Sequence, residues 1–165
     1  MRAKTTNLPS FQVIGMKVAA TVEVFESGLG KGLYHRLLER KHEIPHQKND
    51  HVILMQIYPL DDHFDAKQDE FIHLIGYEVT QAASVPAGMA HREIEACEYV
   101  VCTHEGVESD VHLTYSYLYE CWLEQHGRAP KDYDFEIWDE RYDPESPANE
   151  IDIYVALSDQ SAGTN

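Results

Sequence analysis

The feature that most constrains this chain is the order of its elements, which occurs twice. In each half, a run of β-branched and aromatic residues is followed by apolar residues at helical spacing and then by two further strand-like runs. The segment 55–58 (Met-Gln-Ile-Tyr) in the first half aligns with 135–138 (Phe-Glu-Ile-Trp) in the second, and Tyr77 and Tyr154 follow at similar distances. The chain therefore reads as a duplicated unit of strand, helix, strand and strand.

This duplication predicts an α+β fold of two βαββ units related by pseudo-two-fold symmetry. The repeats span about 11–80 and 87–158 within one domain of residues 8–158, and the tail 159–165 is expected to be frayed. We expect antiparallel sheets with the helices on one face. Two such units side by side would leave a cleft between them, which is where a ligand is expected.

Charge limits the partners that the protein can have. The 165 residues include 13 Lys+Arg against 29 Asp+Glu, a formal net charge of −16. This balance argues against nucleic-acid binding, which needs cationic residues to neutralise phosphates, and against docking on anionic lipid. It favours cationic partners, whose local concentration it raises.

Cysteine usage and hydropathy point to a cytoplasmic protein. The three cysteines, Cys97, Cys102 and Cys121, are odd in number and lie among apolar neighbours, as expected of reduced thiols. The N-terminus lacks the apolar run of a signal peptide, and no stretch approaches the roughly 18–20 apolar residues of a spanning helix. No membrane association is expected.

Strand alternation proposes a candidate site on the second unit. Alternate apolar residues of 151–157 are predicted to pack against the helices, which leaves Tyr154 facing away. We expect Glu136 and Trp138 to share that outer face with Tyr154. The equivalent residues of the first unit are Gln56, Tyr58 and Tyr77.

A carboxylate surrounded by aromatic rings suits an organic cation. A cation over an aromatic face is stabilised by roughly 0.5–2 kcal/mol. A desolvated carboxylate without a partner costs several kcal/mol, which an arriving cation would recover. The alternative is that Glu136 is a solvated residue on an exposed sheet face. Tyr115 and Trp122 belong to a helix with too many aromatic residues for all of them to be core, so they could line either a cavity or the surface.

Six segments together resemble the GyrI-like small-molecule-binding domain, also called the AraC-type effector-binding domain. Their order and spacing carry the resemblance, which covers roughly residues 8–158. The segments are 11–15, 86–89, 98–106, 119–123, 134–138 and 151–157.

The resemblance implies the effector module of multidrug-responsive transcription regulators, in which an aromatic pocket with a buried Glu captures lipophilic cations. It matches Glu136 to that Glu and Tyr154 to a pocket tyrosine, while Trp138 replaces the more usual Tyr. Acidic stand-alone members of the family include drug-binding proteins encoded on integron gene cassettes.

Regulators of the family carry a helix-turn-helix segment before this domain. About ten residues precede the fold here, too few for one, so no direct DNA contact is expected. Whether the protein forms a homodimer or signals through a separate regulatory partner protein stays open.

The sequence and the resemblance together predict a stand-alone binder of lipophilic organic cations without a cofactor, a metal or catalytic residues. One alternative is a hydrolase of strained electrophilic small molecules, with Glu136 as general base and Trp122 or Trp138 holding the substrate. Another is an acidic protein-interaction module, similar to a gyrase inhibitor, that uses the segment 131–152. The predicted ligand-binding residues are Glu136, Trp138, Tyr154, Tyr58, Tyr77, Tyr115, Trp122 and Gln56.

Overall fold

The computed structural model describes residues 1–159, which form two compact units. The first unit consists of residues 10–95, and the second of residues 1–9 together with 96–159. Most of the predicted frayed tail lies outside the described residues. Within 1–159, no helix is both long and apolar enough to cross a membrane.

The first unit is a four-stranded antiparallel sheet with one helical segment. Its strands lie in the order β3, β4, β2, β5, and β1 of the second unit precedes them in the chain. The elements are β1 (Ala3–Leu8), β2 (Phe11–Ala20), α1 (Val22–Val24), a π-helical stretch (Phe25–Leu29), α2 (Gly30–Glu39), a 3₁₀ turn (Lys41–Glu43), β3 (Gln47–Ile57), β4 (Phe71–Val79) and β5 (Ala90–Ile94).

The second unit repeats this plan. Its strands lie in the order β1, β6, β8, β7, and the described pairings among them are antiparallel. The predicted α+β class with two βαββ units is confirmed. The remaining elements are β6 (Cys97–Glu105), a 3₁₀ turn (Glu108–Asp110), α3 (Val111–Ser116), a π-helical stretch (Tyr117–Trp122), α4 (Leu123–Gln125), β7 (Pro130–Trp138) and β8 (Glu150–Leu157).

Each unit contains one strand from the other half of the sequence. The N-terminal strand β1 pairs with β6, with Ala3 opposite Cys102, and β5 pairs with β2, with Ile94 opposite Phe11. The predicted repeats of about 11–80 and 87–158 instead assigned β5 to the second unit and left β1 out. Apolar alternation identifies a strand, but it does not identify the strand's partner.

The first helical segment begins at a side-chain cap and packs through the apolar side of α2. Thr21 caps α1, because its side chain accepts a hydrogen bond from the Val24 N–H at 3.2 Å. Leu33 and Leu37, four residues apart on α2, are buried. Gly28, in the π-helical stretch before α2, has a φ of 136°, a value that favours glycine.

The helical segment of the second unit covers one defined face of its sheet. His104 on β6 pairs with Ile151 on β8, so both side chains point to the same face. The His104 ring shares hydrogen bonds with Thr114 Oγ1 (2.8 Å) on α3 and with the Val107 carbonyl (2.9 Å). The buried row Ile151, Ile153, Val155 and Leu157 therefore faces the helix, as predicted.

Candidate ligand-binding site

The second unit buries a carboxyl group, that of Glu136 on β7. Its side chain is 5% exposed, and each of its oxygens accepts one hydrogen bond from an aromatic side chain. Tyr115 Oη on α3 donates to Oε2 at 2.6 Å, and Trp138 Nε1 donates to Oε1 at 2.9 Å. Glu136, Tyr115 and Trp138 are thus three predicted site residues that the fold brings into direct contact.

Burial makes Glu136 a weak acid. Desolvation raises the pKa of this carboxyl from 4.5 to about 7, although the hydrogen bonds from Tyr115 and Trp138 lower it. The nearby carboxylates of Glu108 and Asp134 raise the pKa further. Within residues 1–159, no basic side chain forms an ion pair with Glu136.

A second buried carboxyl lies beside the first. Asp134 is 0% exposed and accepts a hydrogen bond from Tyr119 Oη at 2.6 Å. Tyr115 and Tyr119 are four residues apart, a rise of about 6 Å in a helix. Asp134 and Glu136 are two residues apart, about 6.8 Å along a strand. Because these spacings match, Tyr115 hydrogen-bonds Glu136 while Tyr119 hydrogen-bonds Asp134.

The aromatic wall next to Glu136 extends into the loop after β7. Tyr142 stacks on Trp138 with ring centroids 4.4 Å apart and an angle of 3° between the planes. Its hydroxyl donates to Glu108 Oε2 at 2.6 Å. Sequence reasoning missed Tyr119, Asp134, Tyr142 and Glu108. The i, i+4 spacing of Tyr115 and Tyr119 and the i, i+2 spacing of Asp134 and Glu136 could have indicated Tyr119 and Asp134. A residue in a loop, such as Tyr142, has no periodic spacing that could indicate it.

Tyr154 lies on the other face of the sheet from Glu136, contrary to the expectation that both share the outer face. Cross-strand partners point to the same side, and the register pairs Glu136 with Ile153 and Phe135 with Tyr154. Tyr154 stacks on Phe135 with centroids 4.8 Å apart. Alternation fixes the faces within one strand, but a shift of one residue in register reverses the face of its neighbour.

Trp122 belongs to the packing of its own helix. It is buried and stacks on His126 with ring centroids 4.1 Å apart. The His126 ring also hydrogen-bonds the Trp122 carbonyl through Nδ1 at 2.9 Å. None of these contacts involves Glu136.

Of the predicted residues of the first unit, Gln56 lies at the place equivalent to Glu136. The place of Tyr154, opposite Phe135, is taken in the first unit by Leu74, opposite Met55, and not by the predicted Tyr77. Gln56 pairs with His73 on β4, as Glu136 pairs with Ile153 on β8. Gln56 is buried, so its unit has a neutral amide where the second unit has an acid.

The two tyrosines of the first unit have aromatic and cationic neighbours there. The Tyr58 ring lies 5.0 Å from Phe71 and 5.8 Å from Phe64, centroid to centroid. Tyr77 is buried, and Lys41 Nζ lies 5.3 Å from its ring centroid. Burial raises the pKa of Tyr77 to about 12, so its hydroxyl remains protonated at neutral pH.

The acidic segment 131–152 is less exposed than its composition suggests. Asp134 and Glu136 are buried, and Arg141 forms ion pairs with Asp139 (2.8 Å), Asp152 (2.7 Å) and Glu150 (3.5 Å). The hydrogen bonds that Arg141 donates to Asp139 and Asp152 raise the pKa of its guanidinium, which stays charged. In the described part of the chain, no group of three or more His, Cys, Asp or Glu side chains is arranged to hold a metal ion.

Comparison with known proteins identifies the class to which this α+β fold belongs, a small-molecule-binding domain. The sequence pattern of the GyrI-like small molecule binding domain matches residues 3–158. The chain therefore belongs to the GyrI-like family, as the resemblance of its segments predicted.

A curated relative and two solved structures are similar over nearly the whole chain. The transcriptional regulator BrlR of Pseudomonas aeruginosa is 30% identical over 162 residues, which are 95% of this chain and 56% of BrlR. The chain thus spans about half the length of that regulator.

The structure of SAV2435 bound to tetraphenylphosphonium has a TM-score of 0.74 at 14% identity, covering 96% of this chain and 95% of the other. The integron cassette protein VCH_CASS2, from the mobile metagenome of Vibrio cholerae, has a TM-score of 0.62 at 14% identity, covering 94% and 95%. At these identities the two structures support the fold.

Proposed function

We propose that this protein binds lipophilic organic cations, with the Glu136 carboxylate as counter-charge and Trp138 and Tyr115 as adjoining aromatic contacts. The observation that carries the proposal is a buried carboxyl that accepts two aromatic hydrogen bonds and has no basic partner within residues 1–159. Tetraphenylphosphonium, the ligand of SAV2435, is a cation of this class.

The energetics favour a cation over a neutral ligand of the same size. Ionised Glu136 is destabilised by desolvation, and a cation supplies the opposite charge without adding water. Aromatic faces contribute roughly 0.5–2 kcal/mol more to a cation that has left water. A neutral analogue gains the apolar contact alone.

That Trp122, Tyr58, Tyr77 and Gln56 also contact a ligand is kept as a proposal, whereas Tyr154, on the other face of the sheet, is not proposed for the cation that Glu136 holds. We also propose a cytoplasmic location, because Cys97, Cys102 and Cys121 are free thiols.

Calorimetric titration with tetraphenylphosphonium at pH 8 tests the proposal. We expect saturable binding by the wild type and a loss of about tenfold or more in affinity in Glu136→Gln, equivalent to about 1.4 kcal/mol. Gln keeps the local hydrogen bonds, since its oxygen can accept from Trp138 while its amide donates to the Tyr115 hydroxyl. The variant therefore removes the charge and little else.

The matched control is Glu124→Gln, which makes the same change at an exposed position. It should bind tetraphenylphosphonium as the wild type does. Triphenylphosphine oxide, a neutral probe with similar rings, should bind weakly, and its affinity should be the same for the wild type and Glu136→Gln. Equal cation affinity in the wild type and Glu136→Gln contradicts the proposal.

Hydrolysis of a strained electrophile is a second candidate, favoured by the Glu136 pKa of about 7, which suits a general base at neutral pH. Trp138 would hold the substrate beside it. Product formation from an activated cyclopropane that disappears in Glu136→Gln, but not in Glu124→Gln, would identify this activity.

A further inference from the structure

The loop after β7 connects the environment of Glu136 to the start of the helical segment. Trp138 donates its indole N–H to Glu136 and stacks on Tyr142, and the Tyr142 hydroxyl donates to Glu108. Glu108 opens the 3₁₀ turn that leads into α3, the helix that carries Tyr115. The contacts therefore connect Glu136, through Trp138, Tyr142 and Glu108, to the helix whose Tyr115 also hydrogen-bonds Glu136.

Hydrogen bonds to backbone groups hold the loop after β7 against the turn that precedes α3. The Glu108 N–H donates to the Pro144 carbonyl at 2.8 Å. Asn149, which is fully buried, donates from its side chain to the Gly106 carbonyl at 2.9 Å and accepts the Gly106 N–H on its own carbonyl at 2.9 Å. The loop carrying Tyr142 and the turn carrying Glu108 thus have a defined relative position.

The stack controls the direction of the Trp138 N–H. An indole has one donor, which lies in the ring plane, and a hydrogen bond weakens steeply when that donor turns away from its acceptor. A parallel ring at 4.4 Å fixes the plane of the indole, and the tether to Glu108 fixes the parallel ring. Loss of either element would free Trp138 to rotate away from Glu136.

We propose that Tyr142, tethered through its hydroxyl to Glu108, is a positioning residue that keeps the Trp138 indole N–H on the Glu136 carboxylate. The inference rests on the proposed function, because it assigns to Tyr142 and Glu108 the tuning of the acid that binds the cation. Neither residue needs to touch the ligand.

The groups around Glu136 give the proposal two opposite signatures. Tyr115 faces the carboxyl from α3, Trp138 and Asp134 from β7, and Glu108 from the 3₁₀ turn. The Trp138 hydrogen bond lowers the pKa of Glu136, whereas the Glu108 charge raises it. Removing the Tyr142 ring should therefore raise the midpoint at which Glu136 titrates, and neutralising Glu108 should lower it.

Fluorescence of the ligand-free protein measures this midpoint. The chain has two tryptophans, so Trp122→Phe leaves Trp138 as the sole emitter, with its N–H on the titrating group. In this background we expect an emission change centred near pH 7 that Glu136→Gln abolishes. Tyr142→Leu should shift the midpoint upward by about half a pH unit or more.

Two further variants separate the stack from the tether. Tyr142→Phe keeps the ring but loses the hydroxyl, so it should give a smaller upward shift. Glu108→Gln keeps an oxygen for Tyr142 while losing the charge, so its midpoint should fall. The control Tyr117→Leu removes a half-buried tyrosine of the same helical segment and should leave the midpoint unchanged.

An unchanged midpoint in both folded Tyr142 variants overturns the positioning role, as does a midpoint that survives Glu136→Gln. Titration of the same proteins with tetraphenylphosphonium then separates the two proposals. Shifted midpoints without cation binding would support the positioning role and remove the proposed function.

Discussion

At the scale of a single residue, the Glu136 carboxyl combines deep burial with hydrogen bonds from two aromatic side chains. The side chain is buried, yet it can still ionise, because its pKa of about 7 lets the charged and neutral forms coexist near neutral pH. The hydrogen bonds from Tyr115 and Trp138 stabilise the charged form and so lower the pKa. Without them, burial would keep the group neutral.

The raised pKa makes folding stability depend on pH in a defined direction. Between pH 4.5 and 7 the unfolded chain has released the Glu136 proton while the folded chain retains it, so stability falls as pH rises. Relative to Glu136→Gln, the wild type should lose about 2 kcal/mol of unfolding free energy between pH 5.5 and pH 8. Guanidinium unfolding at both pH values measures the difference, and Glu124→Gln should show no such trend against the wild type. A constant difference for Glu136→Gln would mean that Glu136 titrates normally.

Cation affinity should follow the same ionisation with the opposite trend. Tetraphenylphosphonium does not titrate, so its binding depends on the fraction of Glu136 that is charged. We expect binding about tenfold tighter at pH 8 than at pH 6. Calorimetry in buffers of different ionisation enthalpy should detect proton release at pH 6. Affinity that is equally pH-dependent in Glu136→Gln would assign the effect to another group.

At the scale of elements, β2 and β4 approach closely because glycines face each other. Gly15 pairs with Gly76, and a Cβ on Gly76 would lie 2.8 Å from the Gly15 Cα and closer still to the Ile14 carbonyl oxygen. Gly76→Ala should therefore separate the strands and cost on the order of 1–3 kcal/mol. The midpoint of thermal unfolding measures this loss.

The matched control for that substitution is Gly32→Ala. Gly32 is exposed on α2 with nothing within 4 Å of its would-be Cβ, so alanine there should stabilise the helix by about 0.5–1 kcal/mol. Destabilisation of similar size in both variants would show that close strand approach is not the cause.

At the scale of the whole molecule, the sequence predicts the class of fold and, through the family resemblance, the burial of Glu136. The repeated order of elements is a local pattern, and so is the Phe-Glu-Ile-Trp segment that contains Glu136. Glu136 and Trp138 were assigned to the wrong face because pairing register depends on the neighbouring strand, which no single segment encodes. Tyr142 was missed for a related reason, since a loop residue has no periodicity to show what it stacks on.

The strand exchanged into the second unit has a consequence for how the protein is made. Ala3 of β1 is synthesised before the first unit, but its partner Cys102 follows that unit in the chain. Closing so long a stretch of chain carries an entropy cost and slows folding. The first unit can assemble on the ribosome from a continuous stretch of chain. The second can pair β1 with β6 only after the whole of the first unit has been synthesised.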